Sequence, residues 1–343
     1  MALITYSADS CIRNAYYYNQ CSNCVTTCQE NVFSVVQNRI KFDANLCTYC
    51  SACLGVCPTE AIKMDIFEPN RFSLEFKFSK EDKLDCKDKT RCLSSFDSQH
   101  FSVMLLEREN LVCDLSQCSE CDIGSLKGIE AKIDEANNLL DKVSENKKIE
   151  KVLEIEEKET LGKRELFGKI FEKATEKVSI PDSENARIER LLNRNGLKKM
   201  LPTKHKILIE ALKDFEFETI KPQAPLINSQ NISDKCTNCK DCIQFCPTEA
   251  LFHSTDMLSI YINSAKCISC GICQDICKVD AVSDVESINI IDFMRPRKLV
   301  SFSMSVCGEC KTPYIQRGDE TICSRCFDFV ENFSSMLSLA RDL

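Results

Sequence analysis

Alternating and helical periods of apolar positions divide the chain into short strands near both ends and helices between them. Arg39-Ile40-Lys41-Phe42 and Leu258-Ser259-Ile260-Tyr261-Ile262 alternate and predict strands. Phe72, Leu74, Phe76 and Phe78 alternate and predict another. A helix through Val103-Met104-Leu105-Leu106 and a strand at Leu111-Val112-Cys113-Asp114-Leu115 follow. After Ser125 the period becomes helical, with Leu126, Ile129, Ile133, Ala136, Leu139, Leu140 and Val143 on one face. Leu166, Phe167, Ile170, Phe171 and Ala174 predict a second helix that stops before Pro181. Ile207, Leu208, Ala211 and Leu212 predict a third, with Thr203 as its N-cap. The Lys/Glu-rich stretch 142–177 reads as a solvated helix face, and 221–235 as a linker.

Composition changes the picture at one residue type. Of 343 residues, 25 are cysteine, far above ordinary usage, and none lies between 122 and 235. Nine glycines form no GxGxxG and no GxxxxGK[ST], so there is no sequence basis for a nucleotide site. His100, His205 and His253 are too few to suggest histidine-based catalysis. A net charge of −8 argues against a nucleic-acid partner. The start, MALITYSADS, lacks the pattern of an export signal, and no run of 18 apolar residues predicts membrane insertion. A cytoplasmic location is therefore expected, where thiols stay reduced and cysteines hold metal rather than form disulfides.

Spacing identifies the metal. Cys236-x2-Cys239-x2-Cys242-x3-Cys246-Pro247 is repeated as Cys267-x2-Cys270-x2-Cys273-x3-Cys277, with Lys278 in place of the proline. In such runs three thiolates wrap one cubane and the fourth ligates its partner. Cys236, Cys239, Cys242 and Cys277 are thus assigned to one [4Fe–4S] cluster, and Cys246, Cys267, Cys270 and Cys273 to a second. Zinc in place of iron is the bland alternative, but its sites use two separated ligand pairs. Near the N-terminus, Cys47-x2-Cys50-x2-Cys53-x3-Cys57-Pro58 is complete, whereas Cys21-x2-Cys24-x3-Cys28 has Tyr18 where a first cysteine is expected. Cys11 is the remaining cysteine upstream. This assigns Cys11, Cys21, Cys24 and Cys57 to one cluster and Cys28, Cys47, Cys50 and Cys53 to another. The alternative leaves Cys11 a bystander beside a [3Fe–4S] or absent cluster. Internal repeats match the division: Cys57-Pro-Thr-Glu-Ala-Ile against Cys246-Pro-Thr-Glu-Ala-Leu, with weaker copies at Cys28 and Cys277.

Nine cysteines remain. Cys86, Cys92, Cys118 and Cys121 can meet at one edge of an α/β unit. A rival grouping, Cys113-x4-Cys118-x2-Cys121, imitates a plant-type spacing, and buried bystander thiols are the third reading. Cys307-x2-Cys310-x12-Cys323-x2-Cys326 has zinc-ribbon spacing, with two knuckles closing a four-sulfur site. A rubredoxin-like iron is the alternative. These assignments leave Cys113 spare.

Both cysteine blocks resemble bacterial two-[4Fe–4S] ferredoxin domains, as in polyferredoxins, over about a third of the chain. The middle cysteines are similar in layout to the small [2Fe–2S] subunit that links hydrogenases to heterodisulfide reductases. The resemblance implies an α+β protein: a first ferredoxin-like module over 1–68, a small α/β segment over 69–124, and a helical insert over 125–220. After the linker, a second module over 236–295 and a zinc-ribbon-like domain over 296–343 are expected. It also implies four [4Fe–4S] clusters, one zinc, and an additional iron–sulfur cluster or metal in segment 86–121. The implied function is non-catalytic electron relay as subunit of, or donor to, a larger redox complex such as a formate dehydrogenase or hydrogenase. The second reading is an accessory or maturation protein for such a complex.

Overall fold

The computed structural model describes residues 4–86, 92–121, 126–143, 147–154, 180–192, 201–213, 229–285, 288, 290–316 and 320–341. It is a mixed α/β chain with several small sheets. The expected helix at Leu166–Ala174 lies outside the described residues.

The N-terminal module is built on two antiparallel pairs. Phe33–Val36 and Arg39–Phe42 form a hairpin, with Phe33 opposite Phe42. Its two-residue turn, Gln37 and Asn38, is left-handed at both positions (φ 49° and 59°), as a tight hairpin requires. Ile4–Tyr6 pairs with Ile62–Met64 and closes the module. Ile4, Val32, Phe33, Leu54 and Ile62 are buried together with Cys11, Cys53 and Cys57. The C-terminal module repeats the plan. Leu251–His253 pairs with Ser259–Ile262, and Gln230–Ile232 with Val282–Asp284. Two boundaries shift. Gln230–Ile232 falls in the stretch expected as linker, and Arg297–Ser301, expected in the ribbon domain, extends this module's sheet on Ser259–Ile262. Three-residue strands are too short for alternation to show.

Between the modules, the strand expected through Phe72 and Phe78 is instead a helix, Pro69–Glu75, running into a tight turn at Phe76–Phe78. Pro69 at the first helical position is the start signal that the alternation masked. Phe72 and Phe76 stack at 5.8 Å, an i,i+4 pair that only a helix brings together. Lys83–Leu84, Leu111–Asp114 and Ile149–Val152 form a parallel sheet with Leu111–Asp114 central. Helices Ser98–Leu106 and Leu126–Val143 fill the intervals between them, as parallel strands require. Segment 69–124 and the supposed helical insert are therefore interlocked. Ile149–Val152 is a strand inside the Lys/Glu-rich stretch: its Ile149 side chain buries completely, Glu150 faces out, and Lys151 is half-buried against Asp134 at 2.9 Å.

Helix Thr203–Leu212 forms where expected, but Thr203 is not its cap. Pro202 occupies that position, and the Glu60 carboxylate from the N-terminal module accepts from Thr203 N at 2.7 Å and Lys204 N at 2.9 Å. A carboxylate there also complements the helix dipole.

Gly55 sets how closely the first module approaches the middle segment. A Cβ on it would lie 2.5 Å from Phe96 O, 2.7 Å from Ser94 O and 2.8 Å from Lys132 Nζ. Lys132 is fixed there by donating to both carbonyls. We expect Gly55→Ala to destabilise the anaerobic protein by about 1–3 kcal/mol, seen as a lower denaturant midpoint. Gln244, its counterpart in the other module, is exposed, so Gln244→Ala should be neutral.

Candidate metal centres

Three of the four cysteine half-repeats follow one backbone path. Tyr49 and Ser51 flank Cys50 with φ of 59° and 66°, Asn238 and Lys240 flank Cys239 with 54° and 73°, and Ser269 and Gly271 flank Cys270 with 50° and 75°. Left-handed backbone is rare outside glycine, so its recurrence at matched positions marks a repeated loop. The third residue after each last cysteine is left-handed in all four half-repeats: Asn31, Glu60, Glu249 and Asp280.

The first half-repeat departs. Tyr18 is 79 % exposed, and none of residues 18–24 is left-handed. Cys11 is buried immediately ahead of the Ile12–Ala15 helical turn. Arg13 holds the altered loop in place, donating to Gln20 O at 2.9 Å, Cys21 O at 3.1 Å and Asn38 Oδ1 at 2.6 Å.

The structure brings the cysteines together in five sets besides the last four. In the Cys21 set (Cys11, Cys21, Cys24, Cys57), burial and the charges of Cys57, Cys11 and Cys21 push the Cys24 thiol up to about 12. In the Cys50 set, Cys28, Cys47, Cys50 and Cys53 line one cavity with Ile4 and Phe33. In the Cys270 set, Cys246, Cys267, Cys270 and Cys273 line another with Ile262 and Ile272. In the Cys239 set, burial and the charges of Cys236, Cys239 and Cys277 push Cys242 up to about 12. Four buried thiolates repel one another unless a cation core lies between them, and soft sulfur donors suit an iron–sulfur core. Backbone donors face the sulfurs: Tyr49 N to Cys47 at 3.3 Å, Ala61 N to Cys57 at 3.2 Å and Ala281 N to Cys277 at 3.2 Å. Such bonds tune reduction potential. The residues present fit the group.

The fifth, the Cys86 set, gathers at the carboxyl ends of two parallel strands. Cys86 follows Lys83–Leu84, and Cys118 follows Leu111–Asp114. Burial and the charges of Cys86, Cys92 and Cys121 push Cys118 up to about 11. Ser94 Oγ donates to Cys92 Sγ at 2.8 Å. Cys113 lies apart, fully buried on the core face of its strand, with burial alone raising its thiol.

Cys307, Cys310, Cys323 and Cys326 are packed differently. Their sulfurs all lie within 4.8 Å of one another, with Cys310 and Cys323 at 3.7 Å. Sulfurs about 2.3 Å from a tetrahedral zinc are roughly 3.8 Å apart, so this set is sized for one ion. Among the described residues no other group is as tight. Burial opposes ionisation of Cys307, but the N–H groups of Cys323, Cys310 and Glu309 outweigh it and pull the thiol down to about 6. The first knuckle sits in the loop of the Ser303–Val306/Pro313–Gln316 hairpin. The second opens the Ser324–Arg341 helix rather than the hairpin expected of a ribbon.

Residues 229–278 match the 4Fe-4S dicluster domain family, and residues 40–63 match the 4Fe-4S binding domain family. The chain therefore carries two separate iron–sulfur-binding domains of the ferredoxin type, together with a four-cysteine metal site. It is similar to a ferredoxin of Rickettsia felis, 35 % identical over 69 residues, covering 20 % of this chain and 61 % of the relative. Ferredoxin-1 of Caulobacter vibrioides is 38 % identical over 53 residues, 15 % of this chain and 45 % of that protein. A ferredoxin of Mycolicibacterium smegmatis is 36 % identical over 53 residues, covering 15 % and 48 %. The chain thus spans about half to three-fifths of the curated relatives it matches. Iron–sulfur binding and electron-transfer character follow. Among the described residues no helix is long and apolar enough to cross a membrane.

The cysteine pattern did not disclose the residues that join the parts. Gly55 had a signal, since it replaces Gln244 in the aligned repeats. Asn19 and Lys204 had none, because Cys270 and Asp97, the partners they reach in other parts of the chain, are distant in sequence.

Proposed function

We propose that the chain relays single electrons through four [4Fe–4S] clusters held by the Cys21, Cys50, Cys270 and Cys239 sets. A zinc is held by Cys307, Cys310, Cys323 and Cys326, and a further iron–sulfur centre by the Cys86 set. The observation that carries this is the pair of cavities each lined by four cysteines, inside modules that match ferredoxin-type families. When bound, the clusters supply one-electron redox chemistry. The chain's own part is to exclude water with Ile4, Phe33, Ile262 and Ile272 and to aim N–H groups at sulfur. Ferredoxin-type iron–sulfur domains are typically electron carriers, which favours a carrier or subunit over an enzyme. The partner is a larger cytoplasmic redox enzyme of the formate dehydrogenase or hydrogenase type. Each oxidised cubane with its thiolates adds about −2 to a chain already at −8, so the partner presents a basic face. Anaerobically purified protein should be brown and contain about sixteen or more iron atoms and about one zinc per chain. A colourless, zinc-rich protein overturns the proposal.

A further inference from the structure

The two ferredoxin-type modules meet at their metal sets. Asn19 is 4 % exposed and belongs to both. Its Oδ1 accepts from Cys21 N at 3.0 Å, and its Nδ2 donates to Cys270 O at 2.8 Å. One amide therefore joins the backbone of a cysteine in the Cys21 set to that of a cysteine in the Cys270 set. Ile12, Ile268 and Ile272 bury around this bridge, with Tyr16, Cys21 and Cys270 packed on them. Tyr16 also reaches the Cys239 module's Phe245, ring to ring at 6.2 Å. On a neighbouring face, Asn23 and Val56 from one module and Cys267 and Ile268 from the other line a single polar cavity.

The other neighbours are as direct. Inside each module the two short cysteine-bearing helices pack together, Asn23–Thr27 on Ala52–Val56 and Asp241–Gln244 on Ile272–Asp275. Helix Ala52–Val56 also packs on the Leu93–Ser95 turn that follows Cys92, at the contact where only Gly55 fits. That contact puts the Cys86 set beside the Cys50 set. Exposure marks the ends. Cys86 and Cys121 are exposed at one extreme and Cys239 at the other, whereas every cysteine of the three intervening sets is buried or half-buried.

We propose that the five sets form one series, from the Cys86 set through the Cys50, Cys21 and Cys270 sets to the Cys239 set, with the Asn19 amide as the crossing between modules. It rests on the clusters proposed above. A one-electron donor protein docks at one exposed end and a one-electron acceptor at the other. Each transfer oxidises one centre by one electron and reduces its neighbour by one, so the chain is unchanged after each passage.

Iron analysis separates the two proposals, because a wild-type protein without its cubane iron defeats the cluster assignment whatever the order. With full iron, EPR of the dithionite-reduced protein reads the order. Cys270→Ala should slow the spin relaxation of the Cys21-set signal and leave that of the Cys86 set unchanged. Asn19→Asp keeps the acceptor for Cys21 N and removes the donor to Cys270 O. With iron content intact, it should slow electron redistribution between modules after flash photoreduction. Unaltered relaxation of the Cys21-set signal in Cys270→Ala overturns the series. Unaltered redistribution in an iron-replete Asn19→Asp protein removes Asn19 as the crossing. Should Asn19→Asp lose iron, Ile272→Ala at the same junction gives the second reading of the crossing rate.

Discussion

Cys11→Ala is expected to convert one [4Fe–4S] cluster to [3Fe–4S], or to lose it, while Tyr18→Phe leaves iron content unchanged. Three sulfurs of the Cys21 set are positioned by the ordinary spacing, and a cubane with an open corner loses iron readily. The fourth sulfur must come from outside the loop, since Tyr18 points into solvent and oxygen is a poor ligand for a soft iron–sulfur site. Cys11 is 8 % exposed, and its charge reaches both Cys21 and Cys24. The ten-residue excursion between Cys11 and Cys21 costs little, because loop-closure entropy grows only logarithmically with length. Arg13 compensates by tying the excursion to the hairpin tip through Gln20 and Asn38. Cys113→Ala is the control and should keep every cluster, since Cys113 is fully buried in the sheet core and burial alone, with no neighbouring cysteine, raises its thiol. Full iron and an unaltered EPR spectrum in Cys11→Ala would falsify this assignment of the fourth ligand.

How much of this was legible in the sequence depended on whether the signal was local. The x2 and x3 spacings are local, and eight of the cysteines they single out line two cavities, four in each. The helix from Leu126 was equally clear, because seven apolar positions share one face over 18 residues. Phe72 to Phe78 misled because apolar residues at every second position can also stack at i,i+4, and Pro69 settles which applies. Ile149–Val152 stayed hidden because charged lysines surround its one fully buried residue. The joints were illegible for another reason. Asn19 meets Cys270 across 251 residues, and Glu60 meets Thr203 across 143, so neither pairing leaves a periodic trace. Cysteine spacing reports what one loop does around a metal, and says nothing of which loops face each other.

Lys204→Met is expected to destabilise the folded protein by about 3–5 kcal/mol, the loss typical when one partner of a buried ion pair is removed. Lys204 is 2 % exposed, and all three of its ammonium donors are used, on Asp97 Oδ2 at 2.5 Å, Cys57 O at 3.0 Å and Gly55 O at 3.2 Å. Methionine preserves much of the volume, so the loss reads the charge and not a cavity. Around the pair runs a closed ring of hydrogen bonds. Asp97 N donates to His100 Nδ1, His100 Nε2 pairs with Asn70 Oδ1, Asn70 Nδ2 donates to Glu60, and Glu60 caps the helix that carries Lys204. Burial works against the Asp97 carboxylate, but Lys204 and Lys132 outweigh it and hold the group well below the usual carboxylate range. A depressed carboxylate stabilises the fold at every pH above its unfolded value and loses that contribution only as pH falls through the folded one. The histidines act at milder acidity. Burial and the Lys204 charge push His100 down to about 3 and His205 down to about 4, so the unfolded chain takes up protons below about 6.5 that the folded chain refuses. Unfolding midpoints of the anaerobic protein should therefore fall between about pH 6.5 and pH 4. The double variant Lys204→Met/Asp97→Leu should recover part of the lost stability, because no unpaired charge then remains buried. A Lys204→Met midpoint indistinguishable from wild type would mean that the ring, and not the ion pair, holds this helix to the N-terminal module.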